Sequence, residues 1–372
     1  MNREDYWKGN GVMKAAILEA KGQPLTIEDI AEPVPVAGEV VVRVLAAPVL
    51  SYTSEVFSGA RDYPLLMPLV PGCGAIGVVE RLGPDATRLQ PGQLVFCDPT
   101  VRSRDDSLSP DIMLQGWIAP GVGQQKLQAY FRNGPFAEKM LLPLENAIPL
   151  AGLEDVVSDP VQLSCMLTAL VPYGGLLAAN FQAGQTLAVT GATGNLGSAG
   201  VAVALAMGAA CVVAPGRNEQ MLRILADKFG ERVRTVPLTE DEALNTRHMR
   251  EAAEGPIDCV LDILPPLRDT SLTRSGIMSV RPGGTVVLMG GTDVDLPIPY
   301  KYVMRNSLVI RGQYCSPRHA PLLLAGLIRG GLLNPELFTT STFPLAQVNQ
   351  AVEHARDYGK AFHLTVVQPT AS

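Results

Sequence analysis

The chain has 372 residues, a formal net charge of −6 and 47% hydrophobic residues, enough for two domains with separate cores. Mild acidity without any basic run argues against a nucleic-acid surface. The six cysteines form no C-x-x-C pair, which argues against a zinc ribbon or a disulfide framework and for a reducing, cytoplasmic setting.

The opening stretch "MNREDYWKGNGVMK" is charged and lacks the apolar core of a signal peptide, so residues 1–12 read as an N-terminal extension. Short strands follow in "MKAAILEA", "EVVVRVLAAPV", "GAIGVVERLG" and "LQPGQLVFCDP". Glycine and proline punctuate them, as in a partly closed barrel. From about Pro160 a helix runs through "VQLSCMLTAL", with Pro172 and Gly174 expected to bend or end it. Then β and α segments alternate. Strands are expected at Thr186, before Arg217, and in "RVRTVPL", "IDCVLDIL" and "GGTVVLMGG". Helices are expected in "NEQMLRILADKFG" and "EDEALNTRHMREAAE". Such alternation implies a parallel sheet covered on both faces. After "SLVIRGQY" comes a helix, "RHAPLLLAGLIRGG", and a last strand, "FHLTVV". The simplest α/β architecture inserts a parallel-sheet domain, 161–307, into a β-rich domain built from 1–160 and 308–372. The longest apolar run, 199–215, is broken by Gly200 and Gly208 and reads as a buried helix plus a strand, not a membrane span.

The stretch "TLAVTGATGNLGSAGVAVALAMG" carries the most chemical information. An apolar strand runs into a turn holding Gly191, Gly194 and Gly197, and a helix of small residues follows. Glycine lets backbone N–H groups approach an anion closely, and the positive end of a helix dipole suits a pyrophosphate. The turn therefore reads as a dinucleotide cradle lined by Gly191, Thr193, Gly194, Asn195, Leu196 and Gly197. Ala192 stands where strict G-x-G-x-x-G has a glycine, and a glycine-rich turn of some other α/β protein is the bland alternative. At the end of the next strand NAD enzymes usually place a carboxylate for the ribose hydroxyls. Here Gly216, Arg217 and Asn218 follow Pro215. A guanidinium can clamp a 2′-phosphate, which points to NADP(H) with Arg217 on that phosphate and Asn218 beside it. A solvated loop arginine is the alternative.

The segments "MKAAIL", "PLVPG", "GVVERLGPDATRLQPGQLV", "FAEKMLLP", "TLAVTGATGNLG", "GGTVVLMGG" and "FPLAQVNQAVEHA", in this order, resemble the medium-chain dehydrogenase/reductase superfamily over nearly the whole chain. The resemblance implies a GroES-like catalytic domain plus a Rossmann domain with a doubly wound parallel sheet. By family position, "LMGG" with Met289 and Gly290, and "GQYCSPR" with Tyr314, border the nicotinamide. Zinc-dependent relatives carry a cysteine after the third strand, a His-Glu pair after the PG turn and a later Cys or Asp. Those positions fall here near Leu50, on Cys73-Gly74, and near Ser164 or Cys165. Leucine cannot bind zinc, and a catalytic site needs three protein ligands. The four-cysteine structural lobe is also absent from "TVRSRDDSLSPDIMLQGWIAPGVGQQKLQAYFRNG". The resemblance is therefore to the zinc-free branch of quinone oxidoreductases and enoyl reductases, with no metal, and Cys73 reads as a core residue.

Without metal, something must donate a hydrogen bond or proton to the acceptor. Tyr52 lies where zinc relatives put their first ligand and proton relay, and Tyr63, in "RDYP", matches a tyrosine donor of some enoyl reductases. Packing is the alternative for Tyr63. The four histidines read as surface residues. Trp117, Ile112 and Met113 of the insertion could shape an apolar pocket or only pack the insertion down. The expected function is zinc-independent, NADPH-dependent hydride transfer to an activated C=C, quinone or enone. The alternatives are an NADP-dependent alcohol dehydrogenase or carbonyl reductase, and a non-catalytic NADPH-binding protein. The expected partners are an apolar carbonyl compound and a second copy of the chain, paired along an edge strand near "LPIPYKYVM", with no nucleic acid and no membrane.

Overall fold

The computed structural model describes residues 11–370, so residues 1–10 of the expected extension lie outside the described residues. The chain divides into two compact units. One comprises the residues through Leu167, Pro335–Gly359 and the stretch from His363 onward; the other comprises Thr168–Asn334 and Lys360–Phe362.

The first unit is built on a seven-stranded sheet in the order Thr339–Pro344, His363–Gln368, Glu39–Val49, Ala75–Leu82, Leu94–Cys97 and Ala147–Pro149, with Lys139–Pro143 also paired to Glu39–Val49. The Glu39–Val49 strand is central. Its run of valines and alanines is buried at nearly every position, because neighbouring strands and packed elements cover both of its faces. A hairpin of Val12–Ile17 and Thr26–Ala31 is tied on by Ala16 N–H to Phe136 O (2.8 Å) and Leu18 N–H to Leu69 O (2.9 Å). The insertion folds as a ribbon, Thr100–Arg102 against Ile112–Leu114, followed by the helix Val122–Tyr130. Val101, Met113, Ala119 and Phe131 make its own small core. Met113 therefore packs the insertion, and Ile112 pairs with Arg102.

The second unit holds a six-stranded, all-parallel sheet in the order Val233–Pro237, Cys211–Gly216, Thr186–Thr190, Cys259–Asp262, Thr285–Leu288 and Val309–Gly312. In chain order this is 3-2-1-4-5-6. The strand order reverses beside Thr186–Thr190, where a doubly wound sheet binds its ligand at the carboxyl ends of the strands. The expected return to the β-rich unit at residue 308 is too early. Val309–Gly312 continues the parallel ladder, with Val286 opposite Ile310, and the chain rejoins the first unit at Pro335. The stretch 296–304, expected at a strand edge, instead leads into the helix Tyr300–Arg305, and the edge strand is Val309–Gly312.

Pro172 and Gly174 do not end the helix in "VQLSCMLTAL". A 3₁₀ turn, Pro160–Ser164, leads into an α-helix, Cys165–Ala178, that runs through both residues. The small residues serve close packing. A Cβ on Gly174 would lie 2.7 Å from Ser316 Cβ, and one on Gly175 would lie 2.4 Å from Met289 Sδ. This apolar stretch is mostly buried, as a core helix is. Two of the four histidines are not surface residues. His354 and His363 are half-buried in the first unit, bonded to Thr365 Oγ1 (2.9 Å) and Ser341 Oγ (3.1 Å).

Candidate active site

The first group of candidate residues starts where the Glu39–Val49 strand ends. Leu50 follows, buried, and its carbonyl accepts a 2.6 Å bond from Thr53 Oγ1. The chain then turns into the short helix Thr53–Ser58, with Tyr52 at its N-cap position. The next loop folds back on this helix. Arg61 N–H donates to Glu55 O (2.9 Å), and Arg61 Nε donates to the Glu55 carboxylate (3.1 Å). This return lays the guanidinium over the Tyr52 ring, 4.1 Å from its centroid and 5.9 Å from that of Tyr63.

The insertion closes the group. Ala119 N–H donates to Pro64 O (2.9 Å) and Leu66 N–H to Gln128 Oε1 (2.8 Å), which fixes the insertion against the 63–66 stretch. Trp117 is thereby buried edge-on to Tyr52 (5.7 Å), Phe57 (6.0 Å) and Tyr63 (6.1 Å), and the two tyrosines stand 6.1 Å apart. Tyr52 and Tyr63 are thus brought together, with Trp117 shaping the same apolar enclosure. Burial raises the Tyr52 phenol well above its ordinary value; Tyr63 and Cys73 add to the rise, and Arg61 opposes it. Trp117 also favours the Tyr52 oxygen slightly, yet its indole N–H stops short of a formed hydrogen bond. At neutral pH the Tyr52 phenol keeps its proton, beside an aromatic cluster.

The positions of the family's zinc ligands hold a poor donor set. Leu50 has no donor atom, Gly74 has no side chain, and the buried Ser164 hydroxyl makes no hydrogen bond. Burial pushes the Cys165 thiol up to about 12. Among the described residues no three His, Cys, Asp or Glu side chains converge. These residues do not fit a zinc site.

The second group lies in the Rossmann sheet. Gly191 takes φ +91°, a left-handed conformation, and Gly194 N–H donates back to its carbonyl (2.9 Å). Gly197 packs the helix start onto the turn: a Cβ there would lie 2.0 Å from Gly191 O. Leu196 occupies the first turn of this helix, and the Asn195 side chain donates to Lys360 O (3.2 Å). Thr193 stands against Gly216, where a Cβ would meet Thr193 Cγ2 at 2.4 Å, so the turn and the end of the next strand adjoin. Arg217 is exposed beyond that end. Asn218 has a further role: its side chain caps the helix Glu219–Phe229 by accepting from Met221 N–H (3.1 Å). At the carboxyl end of the fourth strand, Gly290 approaches Leu264, whose carbonyl would lie 2.9 Å from a Cβ. Met289 follows the fifth strand, and Tyr314, half-exposed, follows the edge strand. Backbone this open and this close fits a dinucleotide.

Two residues escaped the sequence reading. Arg61 sits in "RDYP", where only the tyrosine stood out. Asp262 ends an apolar strand in "VLDIL". It is buried, accepts from Leu264 N–H (3.2 Å), and burial raises its carboxyl. A carboxylate closing an apolar strand at the switch point was the available signal for it.

Residues 36–152 match the alcohol dehydrogenase GroES-like domain family. An alcohol dehydrogenase of Moraxella sp. (strain TAE123) is 27% identical over 352 residues, 92% of this chain and 96% of that protein. The acryloyl-coenzyme A reductase of Metallosphaera sedula is 25% identical over 360 residues, 94% of this chain and 98% of that protein. A Sinorhizobium meliloti 1021 structure, assigned as a zinc-binding dehydrogenase and solved with NADP, superimposes with a TM-score of 0.77 at 19% identity. It covers 97% of this chain and 100% of its own. With a GroES-like domain match over residues 36–152, a 3-2-1-4-5-6 parallel sheet and alcohol dehydrogenases matching along nearly its full length, this chain is similar in sequence and fold to the oxidoreductases of the alcohol dehydrogenase type.

Proposed function

We propose that the chain is a zinc-independent, NADPH-dependent reductase of activated carbon–carbon double bonds in enones, quinones or related apolar carbonyl compounds. One observation carries this reading. Where zinc relatives hold their ligands stand Leu50, Cys73-Gly74 and Ser164-Cys165, and two residues after Leu50 the half-buried Tyr52 packs edge-on against Tyr63 and the buried Trp117. Carbonyl reduction gains much from a Lewis acid, whereas conjugate reduction needs chiefly orientation and a proton.

The dinucleotide, when bound, supplies a hydride. The turn residues Gly191, Thr193, Gly194, Asn195, Leu196 and Gly197 cradle its pyrophosphate. Met289, Gly290 and Tyr314 adjoin its nicotinamide end, and Arg217 takes the 2′-phosphate. Tyr52 hydrogen-bonds the acceptor and delivers the proton, and the aromatic wall of Phe57, Tyr63 and Trp117 excludes water. The Metallosphaera sedula relative is named for reduction of an activated double bond, in keeping with this reading. The alcohol dehydrogenase names of other relatives favour a second reading, reduction of ketones or aldehydes. NADPH turnover on an enone against a ketone, with and without a chelator, separates the two.

The cofactor assignment has its own test. A charge-assisted bond is worth about 1.5–3 kcal/mol. Arg217→Ala is therefore expected to raise the Kd of NADPH about 10- to 100-fold in a fluorescence titration, with NADH within about twofold. Unchanged NADPH affinity would sink the assignment, and equal weakening of both nucleotides would mean that Arg217 acts through the fold.

A further inference from the structure

The Arg61 guanidinium lies over the ring of the half-buried Tyr52, beside the buried aromatic side chains of Phe57 and Trp117. Its Nε is bound by Glu55 at 3.1 Å, with only 16% of its side chain exposed, so the charge is held in place. Glu55 is half-exposed, so water reduces its power to neutralise Arg61. The groups that face Tyr52 are Arg61, Tyr63, Cys73 and Trp117, and Arg61 is the cation among them.

We propose that Arg61 is a positioning residue for the reduction, holding a positive charge on the face of Tyr52 and so stabilising the phenolate left when Tyr52 gives up its proton. The inference rests on the reading of Tyr52 as proton donor. The step balances as follows. Hydride from NADPH adds to the β-carbon of the acceptor, and the substrate becomes an enolate. The Tyr52 O–H bond breaks, and its proton joins the α-carbon. The enolate carbon–carbon electron pair forms the new C–H bond, and the carbonyl is restored. The negative charge passes to the Tyr52 oxygen until solvent reprotonates it. A cation 4.1 Å from the ring centroid stabilises that last, charged state more than the neutral ground state. Arg61 also stacks on the ring, which fixes the direction of the phenol.

The test uses the full-length protein with NADPH and an enone. Arg61→Gln is expected to lower kcat about tenfold, with the KM for enone and for NADPH within about twofold. Arg61→Lys, which keeps the charge, is expected to recover most of that loss. The solvent deuterium isotope effect on kcat is expected to grow in Arg61→Gln, because proton transfer becomes more rate-limiting, and to stay near wild type in Arg61→Lys. A packing role would lower both variants alike, with unchanged isotope effects, and would overturn the proposal. Should Arg61→Gln not fold, as judged by circular dichroism, Arg61→Met keeps the stem and carries the same expectation. Tyr52→Phe separates the two levels. If that variant keeps full turnover, the donor reading falls and this inference with it. If it is crippled while Arg61→Gln turns over normally, only this inference falls.

Discussion

Tyr52→Phe is expected to lower kcat for enone reduction by about 100-fold or more, the usual contribution of a positioned general acid. The Kd of NADPH should change by less than about twofold, because Tyr52 and the dinucleotide cradle are carried by different units of the chain. The substitution removes one oxygen and leaves the ring. Its edge contacts with Trp117 and Tyr63, at 5.7 and 6.1 Å, persist, as does the guanidinium stacked on its face. Little folding energy should be lost, because the Trp117 indole N–H makes no hydrogen bond to the Tyr52 side chain. Loss of turnover with an unchanged melting temperature would therefore report chemistry. Tyr63→Phe provides the comparison and should cost less, since Arg61 lies 5.9 Å from its ring rather than 4.1 Å. Stopped-flow measurement of NADPH oxidation checks both. Full activity in Tyr52→Phe would move the proton donor to water or a backbone group.

The second large effect is expected at Gly197. A Cβ there would lie 2.0 Å from Gly191 O, 2.5 Å from Gly191 C and 2.9 Å from Ala192 Cα. All three are backbone atoms of the turn itself, so no side chain can rotate away. Gly197→Ala must push the helix Asn195–Ala206 off the turn or open the turn. Overpacking of this kind costs about 1–3 kcal/mol. It also displaces the N–H groups that would meet a pyrophosphate. NADPH affinity should fall by about 100-fold or more, and the melting temperature should drop with it. Gly194→Ala is the internal control. Gly194 has an ordinary φ of −86°, and an added Cβ would meet only Gly191 O, at 3.3 Å. Isothermal titration with NADPH on the two variants should therefore show a large loss at 197 and a small one at 194. Equal losses would mean that these glycines are not sorted by their contacts.

The glycine turn was legible in the sequence because it is local. A strand, three glycines and a small-residue helix lie within 22 residues, and each glycine answers to a contact inside the turn or beside it. The parallel sheet was legible for the same reason, since each β–α repeat carries its own pattern. What sequence could not supply depends on long-range pairing. "SLVIRGQY" reads as a strand under any topology, and only its ladder with Thr285–Leu288 assigns it to the Rossmann sheet. Trp117 meets Tyr52 across more than sixty residues, and the bonds that bring it there, Ala119 to Pro64 and Leu66 to Gln128, leave no mark in either segment's composition. Arg61 was passed over because its neighbour Tyr63 matched a motif, whereas its own meaning lies in a loop that folds back on Glu55. Asn218 shows the opposite case. An asparagine before "EQML" is an N-cap signature, yet beside Arg217 it drew a nucleotide-binding reading.

The central claim is that reduction of an activated double bond proceeds here without a bound metal. The most direct measurement is NADPH absorbance over time with exhaustively chelator-dialysed protein, offered a matched enone and saturated ketone. Oxidation of NADPH with the enone, at a rate unchanged by dialysis or by added zinc, and little with the ketone, is the expected result. Activity confined to the ketone, abolished by the chelator and restored by zinc, would contradict it, and would mean that Cys73 and its neighbours hold a metal after all.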